Sequence, residues 1–184
     1  MPESTVQLAG ICNLLGRLWL QEVTAETMEA MQAESFRADY EELGGFIPAN
    51  ADASTVEALA IEYCELLIGP RDQISPVQSV WTDNQLQSET SSSMHRFFEL
   101  LPSFKNREGL PDHIGVQLEF VGDLLTQPDS AVAEILTLFI EKHLRWTQGL
   151  LDEVVRRTHS EFYRGLAVVT AALIQVLSEL AAQS

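Results

Sequence analysis

The sequence predicts an all-α fold, an irregular helical bundle forming a single domain over residues 1–184, and three observations carry that prediction. The seven prolines stand at 2, 48, 70, 76, 102, 111 and 128, leaving long proline-free stretches, and a helix admits proline only in its first turn. Within those stretches the large apolar residues recur in steps of three and four, the spacing that lays one stripe along a helix. No segment alternates apolar and polar residues between turn signals as a half-buried strand does, and there is no repeat or low-complexity tract.

In chain order, Val6, Leu8, Ile11, Leu14, Leu15, Leu18 and Trp19 form the first stripe, over 6–19. A second helix starts after Thr24, and a shorter one runs over 36–43 until Gly44-Gly45 ends it. Ser54-Thr55-Val56-Glu57 reads as a capping box, with the serine hydroxyl accepting from an amide of the first turn while the glutamate reaches back. The helix it opens is expected to reach Ile68 and stop at Gly69-Pro70. Residues 70–90, with two prolines and few periodic apolar positions, read as a functional loop, since long connections inside a compact domain are usually functional or disordered. The next helix is expected over 89–101. Pro111-Asp112 opens another, with Asp112 as N-cap and Ile114, Val116, Leu118, Phe120, Val121, Leu124 and Leu125 along it. After Pro128 two or three helices are expected, broken near 146–149 and at His159-Ser160. The last carries the stripe Phe162, Leu166, Val169, Leu173, Val176 and Leu180.

Charge narrows the partners. Eleven Lys and Arg stand against 27 Asp and Glu, a net −16 at neutral pH. Such a surface repels phosphate backbones and anionic lipid, so nucleic acid and membrane surfaces are poor partners. The acidity either serves solubility or attracts something basic. Cys12 and Cys64 lack CxxC or metal-type spacing and lie in apolar, helix-like stretches, so both read as reduced core thiols of a cytosolic protein. The start, MPESTVQLAG, has no basic and then apolar signal pattern. The most apolar stretch, 166–177, is shorter than the ~20 residues a bilayer span needs. The expectation is a cytoplasmic protein without membrane insertion.

Few chemistries remain. His95, His113, His143 and His159 lack HExxH or other paired spacing, so no metal site is expected. GxxxxGK[ST], GxGxxG and GxSxG are absent as well. Asp112-His113 is the one adjacent carboxylate–imidazole pair. It is either a general base tuned by its acid or, the favoured reading, an N-cap followed by a histidine in the first turn. Trp81, in an aperiodic stretch, is either an anchor for the loop or part of a binding surface, where tryptophan is enriched because it offers large apolar area and one donor. Trp19 and Trp146 read as core.

Three stretches together resemble one family. Tyr63-Cys64-Glu65-Leu66-Leu67-Ile68-Gly69-Pro70 is similar to its first motif, an aromatic residue, leucine and a large apolar residue before Gly-Pro. Pro76 and Ser79-Val80-Trp81 follow in the matching place, and Leu110-Pro111-Asp112-His113-Ile114-Gly115 resembles its second motif, a Pro-x-Asp-His helix start. His143-Leu144 with Trp146, and Phe162-Tyr163, fit its C-terminal part. This is the pattern of the TorD/DmsD chaperones for molybdenum oxidoreductases, related to the NarJ-type nitrate-reductase chaperones, and it runs in order over 60–170. Arg71 stands where many members have a small or aromatic residue. The short LPDH spacing is similar to the nitrate-reductase branch, whereas SVW and the Asp-His pair look like the TorD/DmsD branch.

Members of that family bind the twin-arginine signal peptide of a partner apoenzyme and delay its export until the molybdopterin cofactor is inserted. The resemblance therefore implies a cytoplasmic chaperone, not an enzyme, whose partners are the signal peptide and apo-form of a molybdenum oxidoreductase. It implies no tightly bound cofactor, leaving room for weak contact with guanine nucleotide or molybdopterin, and for a homodimer. It places the peptide-binding residues at Gly69, Pro70, Ser79, Trp81, Asp112 and His113. Trp81 is then the apolar contact and Asp112 the acceptor for arginine. His113 orients Asp112 or adds a second polar contact, and Gly69 and Pro70 shape the floor. Glu62 and Glu119 are further candidates by proximity to the motifs. A cationic, apolar-cored signal needs acidic groups beside an apolar groove, and a −16 chain supplies the steering. The rival classes are an assembly subunit or adaptor of a nitrate-reductase-type complex, and a nucleotide hydrolase using Asp112-His113.

Overall fold

The computed structural model describes residues 3–86, 88–105, 109–127 and 132–182. Pro128, expected as the last helix boundary, lies outside them. Among the described residues there are ten α-helices, one π-helical turn, one 3₁₀ turn and no strand. The all-α prediction holds. The chain groups into two compact units, one built from Met1–Leu20, Pro76–Thr147 and Leu173–Ser184, the other from Gln21–Ser75 and Gln148–Ala172.

The first unit is organised on α1 (Glu3–Leu20) and α7 (Ile114–Leu125). Their backbones approach through glycine: a Cβ added to Gly16 would fall 2.7 Å from the Gly115 carbonyl oxygen, and one added to Gly115 2.5 Å from that of Gly16. Ala9, Cys12, Leu15, Leu18 and Trp19 line the inner face of α1. Burial pushes the Cys12 thiol up to about 12, as the expected reduced core cysteine requires. Helices α6 (Glu89–Phe98) and α8 (Val132–His143) add an aromatic cluster. Phe120 stacks on Phe139 at 4.7 Å between centroids, and Phe97 meets Phe139 edge-on at 5.1 Å. Such pairs add roughly 0.5–1.5 kcal/mol beyond the area they bury.

The second unit holds α2 (Ala25–Met31), α3 (Glu34–Glu42), α4 (Ala53–Tyr63), most of α9 (Thr147–Arg157) and the first half of α10 (Glu161–Ala182). Thr24 caps α2, its side chain accepting from the Thr27 amide at 3.1 Å, and Gly44, at φ +88°, closes α3 in a conformation that side chains rarely adopt. Tyr163 and Tyr63 pack together in the interior, and the Tyr163 hydroxyl donates to the Leu59 carbonyl at 2.9 Å.

Several sequence expectations need correction. The cap of α4 is Asp52, not Ser54: Asp52 Oδ1 accepts from the Thr55 amide at 2.8 Å, and Ser54, already inside the first turn, donates its hydroxyl to the same oxygen. The helix does run to Ile68, but its last five residues, Cys64–Ile68, form a π-turn that closes with the Gly69 amide on the Cys64 carbonyl at 2.6 Å. Cys64 opens that turn only half-buried, its thiol donating to Glu22 at 3.1 Å, so it is not a core residue. The 70–90 stretch contains α5 (Gln78–Thr82). On α10, Val176 and Leu180 are exposed and Leu177 is buried instead. Strict seven-residue steps drift about 20° per heptad around a straight helix, and the buried face follows 3.6. The apolar stretch at 166–177 belongs to a 22-residue helix long and apolar enough to cross a bilayer, although core helices share that property and its inner face is buried from Phe162 to Leu177.

Candidate functional site

Helix α5 has five residues, too few to persist unaided, because helix nucleation fixes several dihedrals for one hydrogen bond. Tertiary hydrogen bonds hold it. The Gln78 amide donates to the Asp112 carbonyl at 2.9 Å, and the Ile114 amide to the Pro76 carbonyl at 2.9 Å, so Val77 and His113 pair as an isolated antiparallel bridge. Asp112, with no exposed surface, accepts at Oδ2 from the Ser79 amide at 2.8 Å and at Oδ1 from the Ser91 hydroxyl at 3.0 Å. Since Asp112 turns inward to α5, the next residue caps α7: His113 Nδ1 accepts from the Gly115 amide at 3.1 Å. This corrects the expected Asp112 cap. The Ser79 hydroxyl is buried and lacks a hydrogen-bond partner.

Behind α5 lies a second buried network, fixed in direction by an indole. Trp146 Nε1–H donates only, reaching Gln117 Oε1 at 3.1 Å and the His143 carbonyl at 2.9 Å. Gln117 Nε2 must then donate, and it does so to Gln78 Oε1 at 2.7 Å. The same oxygen receives His143 Nδ1–H at 2.9 Å, leaving Nε2 to accept from the Ser93 hydroxyl at 2.9 Å. Gln78 Nε2 donates to the Lys142 carbonyl at 2.9 Å. His143 is neutral in this arrangement, its pKa pushed down to about 4 by burial first and by the Lys142 charge second. Satisfied buried networks of this kind fix one packing and are costly to break.

What this framework presents to solvent is Trp81. Its side chain is 38% exposed and lies against half-buried Trp146, with ring centroids 6.4 Å apart and planes tilted by 42°. Two residues on, Asp83 Oδ2 accepts from the Thr90 hydroxyl at 2.8 Å and from the Ser88 hydroxyl, bonds that hold its carboxyl below the usual range. Also in this unit, Phe97, Leu100 and Leu138 floor a groove of about 600 Å³ between α6 and α8, with Ser93, Arg96, Glu141 and Lys142 around it. Leu100 and Leu138 are each more than half exposed.

The residues singled out from the sequence divide between the units. Ser79, Trp81, Asp112, His113 and Glu119 lie in the first, where Ser79 and Asp112 are bonded directly. Glu119 is half-buried on α7 against the Gly16 backbone. Gly69, Pro70 and Glu62 lie in the second. Gly69 ends the π-turn and Pro70 is exposed. Glu62 Oε1 accepts from the amides of His159 and Ser160, both at 2.9 Å, and from the Thr158 hydroxyl, tying down the turn before α10. Sequence reasoning missed Gln78, Gln117 and Ser93. The one signal available was Gln117 itself, a polar residue in the middle of the apolar run from Ile114 to Leu125.

Residues 20–152 match the family described as "Nitrate reductase delta subunit". No curated protein and no solved structure matches the chain. The matched family consists of cytoplasmic assembly chaperones that act with molybdoenzyme subunits; it is not a catalytic family. Since the match covers well over half of the sequence, the chain belongs to the nitrate reductase delta subunit family of NarJ/TorD-type maturation chaperones.

Proposed function

We propose that this chaperone binds the twin-arginine signal peptide of a molybdenum oxidoreductase precursor in the cytoplasm and holds the apoenzyme back until its cofactor is inserted. The observation that carries this reading is the presentation of Trp81. A five-residue helix is fastened by a buried aspartate and a buried glutamine, and its outward product is one large, part-exposed indole. Rigidly held tryptophan is the side chain most often found at the energetic centre of an interface. The groove floored by Phe97, Leu100 and Leu138 offers the apolar segment of such a peptide a seat in the same unit. In this reading Asp112 is a positioning residue: both of its carboxylate oxygens are engaged inside the fold. In this reading no cofactor is tightly bound, and any contact with guanine nucleotide or molybdopterin is weak.

The test is calorimetric titration with the signal peptide of a precursor captured from the native cytoplasm. Trp81→Ala is expected to cost the folded protein about 2 kcal/mol or more of binding, together with a smaller loss of stability from the lost packing on Trp146. With a net charge of −16, binding is expected to weaken as salt rises, mainly through the association rate. Normal binding by Trp81→Ala would reject the assignment. The family match also supports a second reading, a standing component of a nitrate-reductase-type complex. Co-purification separates the two, because a chaperone is absent from mature holoenzyme and a subunit is present in fixed ratio.

A further inference from the structure

We infer that the groove between α6 and α8 docks an acidic amphipathic helix of the precursor, its apolar side chains seated on Phe97, Leu100 and Leu138 and its carboxylates taken by Lys142 and Arg96. This rests on the reading above, in which the groove seats an apolar segment, and adds the charge which that segment carries beside it.

The groove has the shape for a short stretch of helix. Ser93, Arg96, Phe97 and Leu100 follow one another in steps of three, one and three, and Leu138, Glu141 and Lys142 in steps of three and one, so each set lies along one helical face. The Ser93–His143 hydrogen bond and the Phe97–Phe139 pair run the two helices antiparallel. From Ser93 to Leu100 the wall is roughly 10 Å long at helical rise, about two turns. Phe97 is half-buried and held edge-on by Phe139 at 5.1 Å and by His143 at 5.3 Å, which fixes the ring at the floor. Leu100 and Leu138 beside it are 51% and 53% exposed.

Charge selects among the apolar helices that would fit. In the whole chain 27 acidic residues face 11 basic ones. At the Ser93 end of this groove the balance reverses, with Arg96, Lys142 and Arg145 against Glu89 and Glu141. Both carboxylates are engaged, Glu89 by Arg96 at 2.8 Å and Glu141 by Arg145 at 3.5 Å. Lys142 is exposed, and among the described residues no ion pair engages it. The Arg96–Glu89 pair is exposed on both sides, and such pairs exchange partners at little cost. Glu134, four residues before Leu138 in the first turn of α8, lies toward the opposite end. A docked helix therefore turns its carboxylates to Lys142 and Arg96, where a basic segment would meet two like charges.

The experiment titrates the full chain with three synthetic helices. They share a pair of leucines four positions apart and differ only in the adjoining turn, which carries two glutamates, two glutamines or two lysines. Wild type is expected to bind the glutamate helix most tightly and the lysine helix least, each cation contributing about two- to fivefold. This order is diagnostic because a net charge of −16 repels an acidic ligand at long range, so a preference for glutamate comes from local cations. Arg96→Gln combined with Lys142→Gln, both at exposed positions, is expected to abolish the preference for glutamate and leave affinity for the glutamine helix unchanged. Leu138→Ser is expected to weaken all three. Equal binding of the three helices by wild type overturns the acidic preference and leaves the groove a plain apolar seat. A glutamate preference that survives in the double variant, or normal binding by Leu138→Ser, overturns the assignment to this groove. If wild type binds the precursor's signal peptide but none of the helices, docking in the groove is overturned and peptide binding stands; if it binds neither, both fall.

Discussion

At two places in this chain a carboxylate from a distant stretch ties down the start of a helix, and the two differ in burial. At α5, Asp112 takes the Ser79 amide and the Ser91 hydroxyl in the interior of the first unit. At α10, Glu62 takes the His159 and Ser160 amides in the second unit, half-buried and beside a small pocket that also involves Glu65 and Arg157. Water can replace Glu62. It cannot reach the donors that Asp112 serves. The same device therefore fastens the short helix that carries Trp81 in one place and trims a helix end in the other, and the variants below separate those roles.

The largest effect is expected from Asp112→Ala. It strands two buried donors, each worth about 1–3 kcal/mol when left unsatisfied, so the loss is about 2–6 kcal/mol by urea unfolding. Because α5 is too short to hold itself, Trp81 should also become more exposed, seen as a red-shifted tryptophan emission and faster quenching. A variant that unfolds near the wild-type urea midpoint would show that α5 does not depend on this carboxylate.

The next effect is a pH dependence from His143. Its pKa lies near 4 in the folded chain against 6.5 for an ordinary histidine. Above pH 6.5 both states are neutral and the stabilisation is complete. As pH falls from 6.5 towards 4 the unfolded chain takes up a proton that the folded chain refuses, so stability declines, by about 3 kcal/mol in all. Below 4 the folded imidazole titrates too and the dependence ends. Urea unfolding at several pH values in that window should show the slope, and His143→Gln should flatten it. An equal slope in both proteins would place its source elsewhere.

These two sites also mark where sequence reasoning succeeds and stops. Helices with their own periodicity, such as α1 and α7, were legible because local spacing and packing agree. Helix α5 was not, because nothing local stabilises it and the hydrogen bonds that do come from residues 112 and 142. Asp112 and His113 were legible as a pair, but their roles were exchanged: spacing cannot tell which of two adjacent polar residues turns inward. Trp81 was legible as either anchor or contact, and it is partly both, resting on Trp146 with over a third of its surface open. The glycine seam at Gly16 and Gly115 left no local signal, since only the approach of α1 to α7 requires it.

The smallest effect is expected at Glu62, and it completes the comparison. Its Oε1 serves three donors, as many as a good helix cap, yet the turn has substitutes. The Thr158 hydroxyl already accepts from the Ser160 amide at 3.1 Å, and the Ser160 hydroxyl from the Phe162 amide at 3.2 Å. Losing a cap costs typically ~1 kcal/mol, and with these substitutes and water at hand Glu62→Ala should cost about 1 kcal/mol or less. Glu62→Gln keeps an acceptor in place and should cost only a few tenths. Neither variant should alter peptide affinity, since Glu62 acts on the turn before α10 and not on α5. The decisive measurement pairs a thermal melt with peptide titration for Glu62→Ala and Asp112→Ala. A Glu62→Ala variant that melts close to wild type but loses peptide binding would make Glu62 a ligand contact, and the second unit would then share the recognition assigned here to the first.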